Sequence, residues 1–132
     1  MPKRVKYKRH HRGRLKGYLT SNKLIFGNFG LQARSAGWIT AKQIEAARRT
    51  LSRVIRRNGK LWIRIFPDKP VTERATESRM GAGKGSVENW VAIVKFSTYI
   101  FEIIGLEIAI SYNILKLASQ KLPLQRVIIQ RF

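Results

Sequence analysis

Residues 40–59 read Thr40-Ala41-Lys42-Gln43-Ile44-Glu45-Ala46-Ala47-Arg48-Arg49-Thr50-Leu51-Ser52-Arg53-Val54-Ile55-Arg56-Arg57-Asn58-Gly59, and this stretch decides the fold class. Thr40 and Gln43 form a capping box, in which each side chain satisfies an otherwise orphaned backbone N–H. Ile44, Ala47, Leu51, Val54 and Ile55 recur at helical spacing, and Asn58-Gly59 has the chemistry that ends a helix. The period then switches at once. Leu61, Ile63 and Ile65 alternate with Trp62, Arg64 and Phe66, a strand brought to a close by Pro67 and Pro70.

Downstream, residues 89–95 and 99–104 read as two strands joined by a short turn. Residues 107–121 read as a second helix with Ile110, Ile114, Leu117 and Ala118 on one face, and 127–129 as a closing strand. Upstream, 24–26 is a strand candidate followed by a Gly-rich turn, and 1–23 shows no apolar period. The polar, Gly-rich segment 73–86 is long for a loop in a compact domain, and such loops are usually functional or disordered. The expected architecture is α+β, with a mostly antiparallel sheet and two helices packed on one face. An extended basic N-terminal arm covers 1–23, and a single domain covers 24–132 with a candidate functional loop at 73–86.

Charge points to the partner. The 132 residues carry 27 Lys and Arg against 7 Asp and Glu, a net charge of +20. Residues 1–60 hold 17 of the basic side chains and one of the acidic ones. A folded body with that imbalance repels itself unless a polyanion neutralises it. A hydrophobic content of 44% excludes a merely disordered basic tail, and the absence of cysteine excludes disulfide and thiolate chemistry. No apolar core of a secretory signal follows the first charges, and Glu102, Glu107 and Lys116 argue against a membrane span in the apolar stretch 96–118.

Three elements are candidates for nucleic-acid contact. The arm supplies Lys3, Arg4, Lys6, Lys8, Arg9, Arg12, Arg14 and Lys16, all suited to displacing counterions from phosphates. The helix supplies Lys42, Arg48, Arg49, Arg53, Arg56 and Arg57, mostly guanidiniums, whose planar fork binds phosphate bidentately. The loop reads Arg79-Met80-Gly81-Ala82-Gly83-Lys84-Gly85-Ser86. It is not a Walker A motif, because Gly85 follows Lys84 where Ser or Thr is required. Catalytic, metal and cofactor sites are not expected. His10 and His11 have no carboxylate to orient them, Glu73 and Glu77 have abundant Arg neighbours, and Ser86 has no base in view. Trp38, Trp62 and Trp90 suit core packing better than base stacking.

Five segments together resemble the bacterial-type large-subunit ribosomal protein sixteen family. They are the arm motif from Pro2 to Arg14, Phe26-Gly27-Asn28-Phe29-Gly30-Leu31-Gln32-Ala33, Ile39 to Arg49, Gly59 to Pro70, and Arg79 to Gly85, in the family's order and spacing. The resemblance implies a non-enzymatic protein bound to large-subunit ribosomal RNA, near the 5S RNA and the peptidyl-transferase centre. It implies that the arm (Lys3, Arg4, Lys6, Arg12, Arg14) and the loop (Arg79, Met80, Gly81, Lys84, Gly85) reach toward A- and P-site tRNA. In some bacterial relatives the arginine matching Arg79 is hydroxylated. Two departures stand out. Phe96-Ser97-Thr98 replaces the family's Pro-Gly turn, and the helix at 107–121 has an apolar exterior that suggests a neighbouring ribosomal protein. Drift toward Ile, Tyr and Asn suggests an organelle-encoded copy, with the mitochondrion favoured over the plastid and a bacterial cytoplasm third. The competing function is a free RNA chaperone or nucleic-acid-compacting protein, which would use the same charge.

Overall fold

A computed structural model describes residues 1–17, 19, 23–56 and 58–131. Arg57, named above among the candidate phosphate contacts, lies outside them. In chain order the elements are β1 (Phe29–Ala33), β2 (Gly37–Thr40), α1 (Ala41–Ile55), β3 (Lys60–Ile63), β4 (Lys69–Glu73), β5 (Ser86–Val94), β6 (Tyr99–Ile104), α2 (Ile108–Ser119) and β7 (Arg126–Gln130). The class is α+β.

The capping box forms in both directions: Gln43 N–H donates to Thr40 Oγ1 at 3.2 Å, and Thr40 N–H donates to Gln43 Oε1 at 2.9 Å. Ile44, Ala47, Leu51 and Ile55 turn inward as the period requires, while Val54 stays exposed. On α2 the inward face is Ser111, Ile114, Leu115 and Ala118. Ile110 and Leu117, read above with the buried stripe, point outward instead.

The strands divide between two antiparallel sheets rather than one. The first is four-stranded, ordered β3-β6-β1-β7, and the second three-stranded, ordered β2-β5-β4. The helices touch each other; α1 packs against β2, β3 and β5, and α2 against β1 and β7. One core joins both layers, with Leu31, Ile39, Leu51, Val94, Phe101, Ile103 and Leu115 sealed from solvent. Pro70 sits within β4 instead of ending a strand. That strand is an edge, where a missing N–H removes no ladder bond on the outer side. The turn at 96–98 closes with Ser97 in the left-handed region, φ 66°, and the Thr98 N–H on the Lys95 carbonyl at 3.2 Å.

Residues 24–26 are not a strand, and the reason lies in Glu102. This side chain is wholly buried on β6. Its Oε2 accepts the N–H groups of Ile25, Phe26 and Gly27 at 3.2, 2.7 and 2.9 Å, and its Oε1 accepts from Arg64. Those N–H groups are therefore satisfied by a carboxylate and need no neighbouring strand. Gly27 is required for the approach, because a Cβ there would lie 2.6 Å from the Ile103 carbonyl oxygen. Arg64 also lies over the Phe26 ring at 5.4 Å, and that ring stacks on Trp62 at 5.7 Å.

Burial by itself raises the pKa of Glu102, but the Gly27 and Phe26 N–H groups and the Arg64 guanidinium outweigh it and hold the carboxyl below its ordinary 4.5. The unfolded chain therefore takes up this proton first. The stabilisation is complete above about pH 4.5 and is lost as the pH falls through the folded value. Glu102→Gln should cost about 3–5 kcal/mol in chemical denaturation at neutral pH, because it leaves Arg64 without its buried partner. It should also flatten the acid limb of the stability profile.

Candidate nucleic-acid interface

All eight arm cations, from Lys3 to Lys16, are exposed, and residues 1–17 form neither helix nor strand. The arm is nevertheless held against the body. Lys69 Nζ donates to the Arg12 carbonyl at 2.5 Å, and Lys84 Nζ donates to the His10 carbonyl. The Arg12 guanidinium and the Lys69 ammonium both lie over the Trp38 ring, at 5.7 and 4.8 Å. Residues 6–9 run beside Gly85, Ser86 and Val87, at the start of β5. A cationic segment thus docks on a cationic surface through carbonyls and an aromatic face, with no carboxylate in the contact.

The loop between β4 and β5 presents Arg79, Met80, Gly81 and Lys84 to solvent, with Met80 94% exposed. Gly85 is half-buried and has a packing role, since a Cβ there would fall 1.9 Å from the Glu73 carbonyl oxygen. The structure therefore brings the middle of the arm and the C-terminal end of the loop together. It does not join the third element to them. Among the described residues no hydrogen bond, ion pair or ring contact links the α1 arginines to the arm or the loop.

The charges on α1 are not all free. Glu45 accepts from Arg48 Nε and Nη2, both at 2.7 Å, and from Arg49 Nε at 3.0 Å. Arg48 also donates to Ser52 Oγ at 3.3 Å. The bonds from Arg48 and then Arg49 lower the Glu45 pKa to about 2. Arg53, Arg56 and Lys42 remain exposed. Two residues that shape the interface were not assigned to it from the sequence: Lys69 is an arm-holding donor, and Trp38, expected in core packing, is the ring beneath two cations. The pairing of Glu45 with Arg48 and Arg49 was detectable from its i, i+3 and i, i+4 spacing.

The helix α2 exposes Ile108, Ile110, Tyr112 and Leu117, beside a cleft lined also by Phe29 and Ile128. Neither helix is long and apolar enough to cross a membrane.

The arm, the loop and the strands that carry them fall within a single family match. The model for Ribosomal protein L16p/L10e covers residues 2–129. The chain belongs to this family. Similar curated proteins include the large ribosomal subunit protein uL16c of Emiliania huxleyi, 57% identical over 99% of this chain and 96% of the relative. Those of Phaeodactylum tricornutum and Oltmannsiellopsis viridis are 58% and 51% identical, over 94% and 98% of this chain and 91% and 98% of theirs. These findings overturn the preference for a mitochondrion. The relatives all carry the name uL16c, that of the chloroplast-encoded protein, and point to the plastid ribosome. Compositional drift is shared by both kinds of organelle genome and could not separate them.

Gly85→Ala should destabilise the fold by about 1–3 kcal/mol in chemical denaturation, through overpacking at the Glu73 carbonyl.

Proposed function

We propose that this chain anchors large-subunit ribosomal RNA in a plastid ribosome and uses its arm and loop to steady tRNA near the peptidyl-transferase centre. As a member of the L16p/L10e family it is a structural constituent of the large ribosomal subunit, not an enzyme, and it binds ribosomal RNA and neighbouring ribosomal proteins. The observation that carries the finer reading is the carboxylate-free docking of the arm beside the loop, which leaves a continuous set of exposed cations. Release of counterions from RNA phosphates supplies most of the affinity of such a surface. A-form RNA is met by shape and backbone contact, with few base edges read.

Within this reading Lys3, Arg4, Lys6, Lys8, Arg9, Arg12, Arg14 and Lys16 contact RNA together with the exposed guanidiniums of α1. Arg79, Met80 and Lys84 lie nearest the tRNA, in the neighbourhood of the 5S RNA. The apolar outer face of α2 suits a neighbouring ribosomal protein. A freely acting chaperone is not favoured, and a high-salt wash discriminates: this chain should stay one-to-one with the large subunit.

Deletion of residues 1–17 should impair tRNA accommodation more than subunit assembly; normal accommodation in a reconstituted subunit would remove the tRNA part of the reading. Glu45→Gln, which releases Arg48 and Arg49, should tighten binding to duplex RNA by about two- to fivefold at low salt in a filter-binding assay.

A further inference from the structure

Where the arm crosses β4, a cleft of about 410 Å³ opens, with Arg12, Trp38, Lys69, Lys84 and the two histidines of the arm among its lining residues. Three cations meet there from three separate parts of the chain: Arg12 from the arm, Lys69 from β4 and Lys84 from the loop. No carboxylate lines the cleft, and among the described residues none of the three makes an ion pair. Their present partners are neutral. The two ammoniums hold the carbonyls of Arg12 and His10, while Arg12 and Lys69 both lie over the Trp38 ring. With cations over its ring, Trp38 is not placed as a stacking platform for a base. Its Nε1–H is buried and finds no acceptor among the described residues.

We propose that this cleft seats one backbone phosphate of bound RNA, shared by Arg12, Lys69 and Lys84, and that this phosphate fastens the arm to the loop. The inference rests on the RNA-binding reading above and adds to it a particular subsite. Three like charges gathered around a water-accessible cleft repel one another, and a single phosphate relieves all three repulsions at once. An anion suits the site better than a neutral ligand because every charged group lining it is cationic, and a phosphate offers enough oxygens for three donors. Lys69 and Lys84 need not release the arm to bind it, since each ammonium has three N–H donors and one is engaged by the carbonyl. The arm is then weakly docked in the free protein and firmly docked on RNA.

The slope of log affinity against log salt counts phosphates, which separates one shared phosphate from three private ones. With the full-length chain and an A-form RNA duplex, Lys69→Met should weaken binding roughly five- to twentyfold near physiological salt and lower the magnitude of the slope by less than one, because Arg12 and Lys84 still hold the phosphate. Combining Arg12→Met, Lys69→Met and Lys84→Met should lower the slope by about one in all. A reduction of about three in the triple variant, or undiminished affinity in Lys69→Met, overturns the shared seat. A second measurement needs no variant to fold. Titrating the wild-type chain with inorganic phosphate should move the Trp38 indole N–H resonance saturably, and a resonance that stays in place also overturns the seat. A steep wild-type slope with additive variants refutes this subsite alone, whereas a shallow wild-type slope refutes the RNA-binding reading beneath it.

Discussion

The rest of the structure depends on one buried carboxylate. Glu102 stands at the centre of the four-stranded sheet, on β6, and fixes the chain at Ile25, Phe26 and Gly27 by three backbone hydrogen bonds. This is where the basic N-terminal segment enters the domain. Arg64 completes the arrangement from just beyond β3, its guanidinium bonded to the same carboxylate and laid over Phe26. A charge sealed in a core is tolerated only when its hydrogen bonds are filled, and here four donors fill them. The result is a fixed root for the arm, whose described residues 1–17 form neither helix nor strand.

That root matters because acids are scarce in this chain. Of the 7 carboxylates, Glu102 is committed to the core and Glu45 to Arg48 and Arg49 on α1. Among the described residues no carboxylate pairs with the arm, which is held by lysines donating to its carbonyls and by cations over Trp38. Such contacts are individually weak, but they do not consume the charge of the arm side chains. Internal pairing therefore stabilises the scaffold, while the surface that must meet phosphate keeps its excess. The outer face of α2 differs again, carrying Ile108, Ile110, Tyr112 and Leu117, a surface suited to protein rather than RNA.

Legibility followed the range of the interactions. The helix α1 was readable to its cap because the capping box and the inward stripe are local, and β6 was readable because its run of aromatic and β-branched residues is broken only by Glu102. The segment 24–26 looked like a strand by composition, yet the N–H groups of Ile25 and Phe26 find Glu102 77 and 76 residues away, a contact no local pattern encodes. The stretch after residue 26 looked like a Gly-rich turn at Gly27 and Gly30 and then a link to Trp38, yet Phe29–Ala33 is β1, made a central strand by β6 and β7 on either side. The division into two sheets is equally non-local. For the interface, the positions of the cations were legible, and so was their family pattern. Their arrangement was not, because the arm meets Lys69 and Lys84 across 57 and 74 residues.

The account stands or falls on whether the arm is rooted in the core. Native-state amide hydrogen exchange on the free full-length chain tests this most directly, through the amides of Phe26 and Gly27. If Glu102 holds them, they exchange with the same opening free energy as core amides such as Phe101 and Ile103. Exchange as fast as that of Lys8 in the arm would show that the root opens independently of the core, and would contradict the account.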